Sequence, residues 1–155
     1  MKSLVLELQA AAWDSDEKVT NLLRKALVVA KKLEIKDFEK WILSEMHGYK
    51  DNQSNIPAYR EVKGRVRAFN RYHGWQNVYF GSIEDEHFAS TRSLSQSVVQ
   101  LEDLYLGEGE LTTKVAPELL DDIYDQYGVE PLLVLPKSSI LQIIESVKST
   151  ILDWA

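Results

Sequence analysis

The sequence contains no cysteine. Disulfide scaffolds, thiolate zinc sites, CxxC redox pairs and cysteine nucleophiles are excluded by that inventory alone, and a cytoplasmic setting fits it. Histidine is nearly as scarce, with only His47, His73 and His87. None stands in an HxH or HExxH spacing, and the carboxylates nearest His87, in IEDEH, are sequence neighbours whose side chains point apart. Each histidine is expected to be structural or at the surface. Serine chemistry has no GxSxG elbow, and the serines of STRSLSQS lie beside no obvious base. Gly107 and Gly109 form a GEG without the strand-to-helix pattern of a phosphate loop, so they read as a turn. No catalytic group, cofactor or metal is expected, and the chain is read as a non-enzyme. Long apolar runs are missing as well. The N-terminal apolar stretch is broken by Glu7 and Gln9, too brief and polar for a signal-peptide core, and no run approaches a membrane span.

What is present describes a globular protein. The 155 residues are 45% hydrophobic and 27% charged, enough to bury a sizeable core in one ordinary domain. The net charge of −6 argues against broad, non-specific attraction to nucleic acid or acidic lipid.

Periodicity predicts a helical first third. Leu4, Leu8 and Ala11 or Ala12 share one face. Asp14 with Glu17 looks like a capping box opening a second helix, whose broad stripe from Val19 to Leu33 puts it at the centre of the core. Phe38, Trp41, Ile42, Glu45 and Tyr49 suggest a third helix, stopped by Gly48. KDNQSNIP, residues 50 to 57, is a loop. Strands are expected near 59–69, 75–80, 110–115 and 131–135, the first two joined by the turn NRYHG and the last a short buried run, PLLVL. Helices fit Ser95 to Leu106, with Ser95 as its cap, and the stretch after Pro117 through Leu119, Leu120, Ile123, Tyr124 and Tyr127 to Gly128. The expectation is an α+β fold: an N-terminal helical group, a small, mostly antiparallel sheet, and helices, the long amphipathic C-terminal one included, packed on the sheet's face.

Ile140, Ile144, Val147, Ile151 and Trp154 recur at spacings of four, three, four and three residues. This heptad-like seam reads either as an interface or as a helix closing its own core, with Ile151 and Trp154 the stronger interface candidates. No Gly, Asn or Pro stops it, so the helix is expected to continue past Ala155. The other tryptophans, Trp13, Trp41 and Trp75, fall in apolar patterns that core packing explains.

The second candidate surface is basic. Arg60, Lys63, Arg65, Arg67 and Arg71 lie within one short stretch among Tyr59, Phe69, Tyr72, His73 and Trp75. Alternation puts Lys63, Arg65, Arg67 and Phe69 on one strand face, opposite Val62, Gly64, Val66 and Ala68. Guanidinium forks beside a ring can grip phosphate and stack a base. The competing reading, favoured by the acidic whole, is a solvated face that resists edge aggregation. Carboxylate neighbours such as Glu102 with Asp103 and Asp121 with Asp122 face different directions and read as solvated charge.

Four stretches, SLVLELQAAAWDSDEKVTNLLRKALVVAKKL, FEKWILSEMHGY followed by IPAYREVKG, STRSLSQSVVQLEDL and SSILQIIESVKSTILDWA, cover most of the chain. In this order they resemble the AbiTii domain, usually the N-terminal part of bacterial abortive-infection and related phage-defence proteins. The resemblance brings no catalytic residues with it. It implies one AbiTii-like domain over 1–155, the N-terminal part of a longer protein, in a defence setting, and the terminal seam and the missing catalytic groups add the expectation of an oligomerising interaction module that positions or regulates an effector. The partner would be a second copy, or an effector linked to the chain or encoded beside it. The alternative is a sensor that binds nucleic acid or a nucleotide signal through the basic strand face.

Overall fold

The computed structural model describes residues 3–49, 55–115, 117–128 and 130–155. Residues 50–54 of the expected loop lie outside these, as do the side chains of Pro117, Asp122 and Tyr127. Among the described residues the fold is α+β, with seven α-helices and two small antiparallel sheets. The chain divides into two compact units. One is built from Met1–Tyr59, Ser95–Gly107 and Ile140–Ala155, the other from Arg60–Leu94 and Glu108–Ser139.

The first unit is helical. It contains α1 (Leu4–Trp13), α2 (Val19–Lys32), α3 (Lys36–His47), α5 (Val98–Leu106) and nearly all of α7 (Lys137–Trp154). α2 supplies Val19, Leu22, Leu23, Ala26, Val29 and Ala30 to the core, as its broad stripe predicts. Each fully buried Leu or Ile of this kind contributes about 1.5–3 kcal/mol. The helix does not open at Asp14, however. Asp14 Oδ1 accepts the Asp16 N–H at 2.9 Å, a local turn that competes with helix, and α2 begins only at Val19. α3 buries Phe38, Ile42 and Glu45 and stops at Gly48, whose φ of 92° favours glycine and whose N–H donates to the Ser44 carbonyl at 2.8 Å. α5 is capped by Ser97 rather than Ser95. The Ser97 hydroxyl accepts the Gln100 N–H, and the Gln100 side chain accepts the Ser97 N–H at 3.1 Å, a complete capping box.

The second unit is organised on a sheet. β1 (Glu61–Lys63) pairs with β4 (Thr91–Ser93), while β2 (Arg65–Asn70), β3 (Gly74–Asn77), β5 (Leu111–Lys114) and β6 (Leu132–Leu135) form a four-stranded sheet in the order β3-β2-β6-β5. The turn NRYHG forms as its composition predicts, with Asn70 Oδ1 accepting the Tyr72 N–H at 2.8 Å and Gly74 at φ 75°. α4 (Ile83–Ser90) and α6 (Pro117–Tyr127) contact β2. α4 and β4 have no counterpart in the sequence reading. One face of the sheet is buried through Val66, Ala68, Leu133 and Leu135. Gly64 sits where the chain passes from β1 to β2, and its N–H donates to the Ser90 carbonyl at 2.8 Å. A Cβ there would lie 2.2 Å from the Val134 carbonyl oxygen, so only glycine lets these backbones approach.

A basic groove on the open face of the sheet

Strand register decides which side chains share the open face, because residues directly paired across antiparallel strands point the same way. Arg65 is paired with Val134, and Val134 with Thr112. One step along, Asn77, Arg67, Leu132 and Lys114 form a row across all four strands, and Phe69 pairs with Trp75 beyond it. The open face is therefore cationic in the middle and at the β5 edge, apolar along β6, and aromatic at the β2–β3 end. Phe69 and Trp75 are 43% and 47% exposed, with ring centroids 5.6 Å apart in an edge-to-face pair.

A groove of about 890 Å³ opens on this unit, within the size range of sites for small ligands. Its lining includes Lys63, Arg65, Arg67 and Lys137, with Glu86 and Glu110 as the carboxylates and Trp75, Asn77 and Val134 on the sheet. Arg67 Nη1 lies 3.6 Å from Glu110 Oε1, in a pair whose carboxylate is 67% exposed and so easily exchanged.

Of the residues expected on this surface, Lys63, Arg65 and Arg67 line the groove together, and Phe69 follows on the same face. Arg71 stands apart, exposed in the β2–β3 turn. Arg60 is not on the surface at all. It is fully buried, with Nη1 donating to the Leu94 carbonyl at 2.8 Å, while its own carbonyl accepts the Leu94 N–H at 3.0 Å. Sequence reasoning missed Lys114, Thr112 and Lys137, which come to this unit from distant segments. The tryptophans also need correction, since Trp13 is 82% exposed and Trp75 lies on the open face rather than in a core.

The terminal seam takes a different course. Ile140, Ile144, Val147 and Ile151 are all buried within the helical unit, together with Ile143, which the seam spacing did not include. Trp154 remains 42% exposed, and one ring face stacks on Phe38 with centroids 5.0 Å apart. Phe38 also stacks on Trp41 at 6.1 Å, and the Trp41 indole N–H donates to the Tyr59 hydroxyl at 3.0 Å. The Tyr59 hydroxyl in turn donates to the fully buried Glu45 carboxylate. Glu102, read from sequence as solvated, accepts a hydrogen bond from the Thr20 hydroxyl. Among the described residues, His, Asp and Glu do not gather in threes as metal ligands would, and no helix is long and apolar enough to cross a membrane.

These features define an α+β protein of two units, one a helical core and the other a sheet with a basic open face. The chain belongs to the AbiTii family, whose model matches residues 3–155 and so spans both units. That membership points to abortive infection, the phage-defence response, as its setting. No curated protein and no solved structure matches the chain.

Proposed function

We propose that the chain serves abortive infection as a non-enzymatic recognition module, whose sheet unit takes up a phosphate-bearing ligand in the groove beside Arg65. The observation that supports this is local charge. Four cations and two carboxylates line one groove in a chain whose overall charge is −6. A cationic concavity in an acidic protein attracts phosphate locally while the rest of the surface repels anions that do not fit the groove. Guanidinium groups suit phosphate because their planar fork donates two hydrogen bonds at once.

Titration with nucleotides and short oligonucleotides at low ionic strength, followed by amide chemical shifts, tests the reading. Shifts are expected around Lys63–Arg67 and Gly109–Leu111, and Arg65→Ala is expected to weaken binding about tenfold or more. Absence of ligand-dependent shifts in these segments for every phosphate compound would sink it.

A second reading, assembly through α7 with another copy or an effector, is favoured by Trp154. The buried isoleucines serve the chain's own core, whereas Trp154 and Leu152 keep 42% and 37% of their surface exposed. Tryptophan is enriched among residues that dominate interfaces. Light scattering across micromolar concentrations is expected to show a species heavier than one chain that Trp154→Ala dissociates. A strictly monomeric protein at all concentrations would exclude self-association.

A further inference from the structure

We infer that the ligand of the open sheet face is a single-stranded nucleic acid laid along β2, with phosphates on Arg65 and Arg67 and a base on Trp75. The inference rests on the phosphate-binding reading above and adds the ligand's class and direction. Three observations carry it. Arg65 and Arg67 are alternate residues of one strand, about 6.6 Å apart along it, a separation comparable to that of neighbouring phosphates in an extended polynucleotide. Phe69 and Trp75 continue the same face two residues further on, half-exposed and already packed edge-to-face, so Trp75 is braced to offer a flat ring. Leu132 and Val134 lie half-buried beside the two arginines and give the sugar edge an apolar floor.

This combination selects against duplex. A base pair in a stacked helix has no free face for Trp75, whereas a single strand presents one at every nucleotide. A free mononucleotide could join Arg67 to the ring but would leave Arg65 without a phosphate, because Phe69 lies about 13 Å along the strand from Arg65. The register adds Lys114 to the row through Arg67, so the strand has a further cation toward β5. Glu110 plays the opposite part. It holds Arg67 while the face is empty, and an arriving phosphate must exchange with it.

The test uses the whole chain with fluorescein-labelled single-stranded DNA and RNA, the same sequences as duplexes, AMP, and poly-glutamate. Single strands are expected to bind most tightly and to quench tryptophan emission, with the quench lost in Trp75→Phe. Trp75→Ala is expected to weaken binding about five- to a hundredfold, while Arg24→Ala on the exposed side of α2 leaves it unchanged. Glu110→Gln is expected to tighten binding about two- to fivefold, since it releases Arg67 and removes a repelling charge. Circular dichroism of each variant shows whether the fold is kept, and all these positions are at least partly exposed. Duplex or poly-glutamate bound as tightly as single strand would overturn the inference. So would AMP bound as tightly as oligonucleotide with no effect of Trp75→Ala, although the phosphate-binding reading would then stand. If no phosphate compound binds, both fall.

Discussion

Replacement of Phe38 by Ala is expected to lower the stability of the helical unit by about 3–5 kcal/mol. The side chain is 1% exposed, so its removal opens a cavity at the point where α3 meets the last turn of α7. Both of its ring partners lose a stacking face at the same time, since Trp41 and Trp154 each lie nearly parallel to it, at 15° and 14°. Urea unfolding monitored by far-ultraviolet circular dichroism measures the loss. Hydrogen exchange should show faster exchange at residues 151–155, whose anchor is gone. Trp154→Ala, which removes a half-exposed ring, is expected to cause a clearly smaller loss. A change below about 1 kcal/mol for Phe38→Ala would mean that the stack is not a structural centre.

Gly64→Ala is expected to destabilise the sheet unit by about 3 kcal/mol or more, at the upper end for overpacking. Most overpacked sites relax by turning a flexible side chain, but here the first obstacle is the Val134 carbonyl oxygen, 2.2 Å from the new Cβ, with Leu135 Cδ2 at 3.0 Å. Only backbone movement can relieve it. That movement would shift β6 relative to β2 and so displace Arg65 from its partner Val134, weakening ligand capture as well as stability. Gly81→Ala is the control, because its Cβ would meet no atom within 4 Å. Equal unfolding midpoints for the two variants would contradict the close approach.

The sequence made the strand face readable because alternation is a local property. Val62, Val66 and Ala68 fall on the buried side and Lys63, Arg65, Arg67 and Phe69 on the other, as their spacing predicts. Gly48 and the stripe of α2 were readable for the same reason. α4 was not, because Ile83 and Phe88 are 85% and 51% exposed and its buried residues are Ala89 and Ser90 at the very end. Its signal lay in the cap instead, where Ser82 accepts the Asp85 N–H at 3.1 Å ahead of an acidic first turn. Ser97 with Gln100 is likewise a legible capping box three residues apart, two residues beyond the Ser95 at which the sequence places the cap. The contributions of Thr112 and Lys114 to the open face could not be read from spacing. They depend on β6 entering between β2 and β5, a pairing of segments far apart in the chain. Arg60 illustrates the reverse limit, since composition suggests a surface cation and only tertiary structure shows it bonded to Leu94.

The three-part origin of the helical unit sets the order in which the molecule can be finished during synthesis. Its first part ends at Tyr59 and its last begins at Ile140. A ribosome adding about 5–20 residues per second takes roughly 4–16 s to travel between those points. Throughout that interval Phe38 waits for Trp154, and the apolar faces of the first helices stand without the isoleucines that α7 buries in the same unit. The sheet unit needs nothing beyond Ser139, so its strands are all available before that helix emerges. The helices made first are thus among the last to be sealed.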